Sequence, residues 1–363
     1  MKISVIFGTR PEIIKLSPII RALKSAHANF FIVHTNQHYD KNMDAIFLNE
    51  LNLPKAKYNL KIGSGSHANM TGRILMEVEK IFIKEKPDVL IVQGDTNTVL
   101  AVSLAASKLQ IPIAHVEAGL RSYSRIPEET NRILTDHLSE FLFAPTEKQK
   151  KILINEGVSS KKIHVVGNTV VDAVQQNLKI AEKSVGNRFL KNLKLKPKKY
   201  FIVTAHREEN VDKKNVLETI IKAISHLQKA HKFDVVFPMH PRTKKRIEEF
   251  KIKIPSKIKV IEPIGYLEML SLMQNAAFIL TDSGGIQEEA CTLGVPCVTM
   301  RESTERPESI EVGANILVGT HINRITEGTK TILNSTSSKN TKRWKNPFGN
   351  GATAEKIVKI LMK

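Results

Sequence analysis

The run Thr281-Asp-Ser283-Gly284-Gly285-Ile-Gln-Glu-Glu289 follows the apolar stretch Phe278 to Leu280 and leads into a helix-like segment stopped by Gly294 and Pro296. A strand-to-helix turn of this kind aims free backbone N–H groups and the positive end of the helix dipole at one spot, which suits a phosphate. Two glycines let a ligand approach the backbone more closely than any Cβ would allow. Glu289 lies four residues beyond Gly285, on the same helix face, where its carboxylate can accept two hydroxyl hydrogen bonds such as a ribose offers. The same residues also fit an ordinary tight turn with a solvated Glu pair.

Other chemistry-bearing residues also stand at strand exits. Gly8-Thr9-Arg10-Pro11-Glu12 follows the first apolar run, and Pro11 fixes the start of a helix that carries Lys15 about one turn in. Arg10 and Lys15 fit a diphosphate, or else ordinary surface charge. Gln93-Gly94-Asp95 and His115-Val-Glu117 each place a carboxylate just past a buried strand, and Pro127-Glu128-Glu129-Thr-Asn131-Arg132 opens another helix. Glu128 and Arg132, four apart, share a face and can form a surface ion pair. If Asp95, Glu117 and Glu128 converge, like charge would raise their pKa values, as acid/base sites require. His206, at the exit of the run Tyr200–Thr204 and followed by Arg207 and Glu208, is a candidate for phosphate contact or proton transfer. His240 is a weaker candidate of the same kind. His34 and His38 lie four apart, but no helix is expected there, and no pattern of metal ligands occurs.

Strand signals alternate with amphipathic helical stretches along the whole chain, the pattern of parallel sheets covered by helices. Candidate strands are Ile3–Phe7, Phe30–His34, Val89–Val92, Ile113–His115, Phe141–Phe143 and Ile163–Val166, then Tyr200–Thr204, Val235–Pro238, Ile258–Ile261, Phe278–Leu280 and Val298–Met300. A length of 363 residues suits two domains. Residues 1–170 and 171–351 are the expected division, with a last helix over 352–363 packing back on the first. Two doubly wound α/β domains facing across a cleft would gather ligands at the carboxyl ends of the strands.

The formal charge of +19 comes with dispersed lysines and only 6% aromatic residues, so it reads as a solvated basic surface and not as a nucleic-acid groove. Such a field still attracts an anionic small molecule. No apolar run approaches the ~20 residues of a membrane helix. The short apolar start, Met1 to Gly8, is expected to be a buried strand and not a targeting segment. Cys291 and Cys297 lack ligand companions and read as packed thiols in a reducing cytoplasm. Gly63-Ser-Gly65-Ser-His-Ala68 and Gly349-Asn-Gly351-Ala-Thr-Ala354 imitate a dinucleotide fingerprint, but neither opens a βαβ unit ending in an acidic residue, so nicotinamide binding is rejected.

In order, Gly8-Thr-Arg-Pro-Glu12, Gly94-Asp95-Thr, His115-Val-Glu-Ala-Gly-Leu-Arg121, Pro127-Glu-Glu-Thr-Asn-Arg132, His206-Arg, Thr281-Asp-Ser-Gly-Gly-Ile-Gln-Glu-Glu289 and Glu305-Arg306-Pro307-Glu308 resemble the UDP-N-acetylglucosamine 2-epimerase family through essentially the whole chain. The resemblance implies two Rossmann-like domains of the GT-B type, a homodimer, no cofactor, and interconversion of UDP-GlcNAc and UDP-ManNAc. Carried over by motif, Arg10, Lys15, His206, Ser283, Gly284, Gly285, Glu289 and Arg306 match the UDP-binding set. Asp95, Glu117, Glu128, Arg132 and His206 match the set around the sugar that moves protons. Two positions depart from the family. Aligned through Tyr266-Leu267, the usual glutamine and aromatic near the uracil are Ile264 and Met269, which implies backbone and apolar contacts there. The stretch Gln37-His38-Tyr39-Asp40 departs from the Gln-His-x-Gln with which some bacterial members bind an activating second UDP-GlcNAc. A hydrolysing 2-epimerase, a 2-epimerase for a 6-deoxy acetamido sugar, a GT-B glycosyltransferase and a non-catalytic sensor are the rival expectations.

Overall fold

The computed structural model describes residues 1–36, 43–186, 188–337 and 344–363; Gln37 to Asp40 lie outside them. The chain forms two compact units: Met1–Ala173 with Phe348–Lys363, and Val174–Pro347.

The first unit is built on seven parallel strands: β1 (Lys2–Phe7), β2 (Asn29–His34), β3 (Tyr58–Asn59), β4 (Val89–Gln93), β5 (Ile113–Val116), β6 (Phe141–Ala144) and β7 (Ile163–Val165), in the order β3-β2-β1-β4-β5-β6-β7. Helices cover both faces of such a sheet, so its central strands are apolar throughout: Ile3 to Phe7 apart from Ser4, and all of Val89 to Val92. Each buried Val, Ile or Leu contributes about 1.5–3 kcal/mol over its exposed state. The helix His67–Glu85 presents Ile74, Val78 and Phe82 to Ile6, Val33, Leu90 and Val92, a spacing of three to four residues that keeps one stripe on the sheet. The last helix, Thr353–Leu361, packs on the helix Arg10–Ser25, and Asp172 Oδ1 accepts from Ala354 N–H at 2.9 Å.

The second unit has six parallel strands: β8 (Tyr200–Thr204), β9 (Asp234–Pro238), β10 (Ile258–Ile261), β11 (Phe278–Thr281), β12 (Cys297–Thr299) and β13 (Asn315–Leu317), ordered β10-β9-β8-β11-β12-β13. Its core stacks Phe201 on Phe278, ring centroids 4.6 Å apart, beneath Leu217, Ile220 and Ile224 of the helix Lys214–His231.

Both orders reverse direction once, between β1 and β4 and between β8 and β11. A parallel sheet opens a crevice at that reversal, because the connecting helices leave to opposite faces. The eleven strands expected from sequence all form, within about one or two residues at each end. The sequence pattern missed the two edge strands β3 and β13, which are only two and three residues long.

Candidate active site

In the first unit, functional side chains collect at the β1/β4 reversal. Gly8 ends β1, and a Cβ there would collide with the hydroxyls of Thr35 and Thr98. The helix behind it starts at Arg10 with Pro11 in its first turn, while the side chain of its N-cap, Thr9, makes no capping bond. Instead Glu12 folds back: its carboxylate accepts from Gly8 N at 3.1 Å, Thr9 Oγ1 at 2.8 Å and Thr96 Oγ1 at 3.1 Å. Burial pushes the Glu12 carboxyl up to about 7, against the lowering effect of these neutral donors. Arg10 stays exposed, its guanidinium 5.9 Å from the centroid of the Phe47 ring.

Glu117 ends β5 in the left-handed region at φ 66, a sparsely populated conformation for a side chain of this size. Its carboxylate is buried and takes both bonds from Lys15 Nζ, at 2.6 and 2.9 Å, together with one from Gln93 Nε2. Lys15, matched by motif to the diphosphate set, is thus engaged by a carboxylate of the proton-moving set. Asp95, about one-third exposed, is paired with Arg132. Arg132 also lies 3.1 Å from Glu129 and not on Glu128: the buried partner is the residue three back, which caps the turn by accepting from Ser122 N and Tyr123 N. The surface pair expected between Glu128 and Arg132 is therefore replaced. Glu128 is exposed and makes no side-chain hydrogen bond or ion pair among the described residues.

The three carboxylates thus stand at neighbouring strand and helix ends of one unit. They are not bare like charges raising one another, as their types alone suggested, because Glu117 and Asp95 each hold their own cation. A base with an adjacent ammonium, a carboxylate clamped by a guanidinium and an open carboxylate make a set able to take and give protons.

In the second unit the β8/β11 reversal is held by Asp282, fully buried between the two strand exits. It accepts from His206 N, Arg207 N and Asn210 Nδ2, and its other oxygen lies 3.0 Å from His206 Nδ1. Burial alone would raise its pKa; His206 and the backbone donors outweigh that and hold it below the usual carboxylate range. Asp282 Oδ1 thus faces the His206 ring, whose side chain remains 39% exposed. The His240 ring lies nearby, tilted by 39°, with centroids 5.4 Å apart.

Next to it, Ser283 caps the helix Gly284–Leu293 without a side-chain capping bond, so its hydroxyl is not spent on the helix. The first-turn N–H groups of a helix have no intrahelical acceptor and point outward. At Gly285 a Cβ would meet nothing within 4 Å, whereas at Gly284 it would lie 3.1 Å from Arg306 Nη1. The Arg306 guanidinium therefore stands against the helix start, 3.4 Å from Glu288 and 3.2 Å from Glu305. Glu305 is itself gripped by Arg301 at 2.9 and 3.0 Å; these arginines overcome its burial and hold it ionised. Glu289, half-buried, follows one turn on. Met269, on the helix Tyr266–Asn275, is half-buried and packs on the cluster around Ile202 and Ile279.

Among the described residues, no group of three His, Cys, Asp or Glu side chains could hold a metal ion, and no helix is long and apolar enough to cross a membrane. Cys291 and Cys297 are buried, and burial pushes both thiols up to about 12, which leaves them unreactive. Sequence reasoning singled out residues at the strand exits and helix starts, exposed ones such as Arg10 and Glu128 and buried ones such as Glu117 and Arg132. It passed over Glu12, Gln93, Asp282 and Glu305, which hold them in place and whose signal was only their position inside the motifs.

The family model described as UDP-N-acetylglucosamine 2-epimerase matches residues 21–362. A UDP-N-acetylglucosamine 2-epimerase of Methanocaldococcus jannaschii is 57% identical over 366 residues, 99% of each chain. The crystal structure of the M. jannaschii UDP-GlcNAc 2-epimerase in complex with UDP-GlcNAc and UDP aligns with a TM-score of 0.90 at 58% identity, covering 100% of this chain and 99% of that one. The UDP-GlcNAc 2-epimerase of Neisseria meningitidis bound to UDP-GlcNAc gives 0.90 at 35% identity, covering 100% of both. Two Rossmann-like units in the order found here are the GT-B type of fold. With motifs, strand order and whole-length similarity in agreement, the chain belongs to the UDP-N-acetylglucosamine 2-epimerase family.

Proposed function

We propose that the chain interconverts UDP-GlcNAc and UDP-ManNAc by elimination of UDP and its re-addition. The proton on C2 of an N-acetylhexosamine is not acidic, for no carbonyl is adjacent. Elimination avoids the problem: a base takes the C2 proton, the C1–O bond breaks with its electrons going to UDP, and a 2-acetamidoglucal forms. Protonation of C2 from the opposite face and return of UDP to C1 complete the inversion.

The departing diphosphate requires strong anion stabilisation. Arg306, the Ser283-Gly284-Gly285 turn, His206 and Arg10 supply it, Glu289 receives the ribose hydroxyls, and Met269 lies by the uracil. Asp95, Glu117 and Glu128 handle the proton on the two sugar faces, with Arg132 and Lys15 setting the charge of the first two. Retaining the glucal until UDP returns calls for a site shielded from water. As in the family, the enzyme works as a homodimer in the cytoplasm, which light scattering at twice 40.7 kDa would check.

The observation that carries this reading is the pair of reversal points, one offering anion contacts and the other paired and open carboxylates. Proton NMR of UDP-GlcNAc with the protein in D2O tests it. Deuterium at C2 with UDP-ManNAc accumulating is the expected result. Free UDP and ManNAc would mean a hydrolysing enzyme. An unchanged spectrum would mean another UDP-sugar or a sensor, and sugar transferred to an added acceptor would mean a glycosyltransferase.

A further inference from the structure

We infer that His115 is a buried, doubly protonated positioning residue that fixes the backbone beside both Asp95 and Glu117. Its side chain, on β5, is 0% exposed. Nδ1 lies 2.7 Å from Asp136 Oδ1, and Nε2 lies 2.8 Å from the carbonyl oxygen of Gly94. A carbonyl oxygen can only accept, so Nε2 must carry a proton. Asp136 is fully buried, and its Oδ2 receives the Gly119 N–H at 3.1 Å and lies 2.8 Å from Arg121 Nη1. A carboxylate pressed against a guanidinium is ionised and likewise only accepts, so Nδ1 must carry a proton too. Arg121 completes the chain on Glu156, at 2.8 and 2.5 Å. Two cations and two anions thus form one neutral group that reaches solvent only at Glu156, which makes the burial of the other three tolerable.

What this group holds explains its place. Gly94 is in the left-handed region at φ 81, its N–H is bonded to Val116 O at 3.2 Å, and its carbonyl is held by His115. The residue that follows is Asp95. Gly119, also at φ 81, has its N–H held by Asp136, and a Cβ there would lie 2.7 Å from Gln149 O. Two residues before it is Glu117, in its sparsely populated conformation. One imidazolium–aspartate pair therefore fastens the turns on which both carboxylates stand. A neutral ring could make only one of the two bonds, and its bare nitrogen would face an oxygen.

The functional half of this inference rests on the epimerase reading; the charge of the ring does not. Histidine labelled with 15N in the intact enzyme, at about pH 7.5 where an exposed imidazole is mostly neutral, reads the charge directly. The His115 ring is recognised by its loss in His115→Gln. Protons on both of its nitrogens are expected, and one bare nitrogen overturns the inference. His115→Gln and Asp136→Asn should each lower kcat for C2 exchange by about tenfold to a hundredfold, as small misplacements of reacting groups do, while UDP affinity by calorimetry stays within about twofold. Unaltered kcat in both variants, or an equal loss of UDP binding, refutes the positioning role. Should His115→Gln fail to fold, Asp136→Asn decides the role, and the ring whose Nδ1 shift moves in Asp136→Asn is identified as His115 and decides the charge. No C2 exchange by the native enzyme on any UDP-sugar would refute the epimerase reading instead.

Discussion

Glu12 in the first unit and Asp282 in the second are both fully buried acids behind a strand exit at a sheet reversal, yet their titration moves in opposite directions. Burial is the largest influence on each and raises both. Asp282 adds an imidazole to its backbone N–H donors, which hold it ionised, while Glu12 meets only hydroxyls and backbone N–H groups, with no cation, and rises to about 7. The same topology thus yields a fixed buried anion in one unit and a titrating one in the other. In the function proposed here, the charge framework of the second unit holds the diphosphate. The first holds one acid shifted toward neutrality, Glu12, in the same unit as carboxylates paired with cations.

If that division is right, the largest effects fall on turnover through the first unit alone. Asp95→Asn, Glu117→Gln and Glu128→Gln should each reduce C2 exchange by about 10²-fold or more while calorimetry shows UDP binding intact. Near-normal rates in all three would remove the carboxylates from the chemistry and erase the contrast. Next comes Glu12→Gln, read as stability. The folded-state pKa of Glu12 lies above its unfolded value of 4.5, so its contribution is complete below about pH 4.5 and is lost as pH rises through about 7. The native protein should therefore lose up to about 3 kcal/mol from this group between pH 5 and pH 8, and Glu12→Gln should not. Unfolding midpoints of the two proteins that run parallel across that range would show that Glu12 does not titrate in the folded state.

Much of this architecture was legible in the residues. Apolar runs ending in Gly8, Gly94 and Asp282-Ser283 mark strand exits, because a buried parallel strand must be apolar on both faces and its exit must turn. Asp95, Glu117 and His206 were legible for the same reason, since each stands one or two positions past such a strand. Partnership was not. Arg132 was matched to Glu128 by helix spacing, but the buried Glu129 and Asp95 took it; spacing along one helix says nothing about a carboxylate brought in by β4. Lys15 likewise meets Glu117, 102 residues away, a pairing that only the sheet order creates. The edge strands β3 and β13 escaped because two or three residues are too few to show a periodic pattern.

In the second unit the comparison turns on affinity. Arg306→Ala removes the cation beside the helix start and leaves buried Glu288 facing it, so UDP should bind about tenfold to a hundredfold more weakly, the range for a lost hydrogen bond to a charged group. Unchanged UDP affinity would take Arg306 out of the diphosphate site.

The smallest effect separates the helix start from the arginine. At Gly285 a Cβ meets nothing within 4 Å, so Gly285→Ala disturbs no protein atom. Replacing a helical glycine by alanine should even stabilise the unliganded protein, by about 0.4–1 kcal/mol. A diphosphate lying on the N–H groups of that first turn would meet the new methyl group, and UDP affinity should fall severalfold while the unfolding midpoint holds or rises. Gly284→Ala differs because its Cβ would sit 3.1 Å from Arg306 Nη1 and push the guanidinium aside with or without ligand. Loss of affinity in the Gly285 variant with stability retained therefore assigns the helix N-terminus its own share of the anion site. Undiminished UDP binding there would leave Arg306 and its neighbours to hold the diphosphate without the helix.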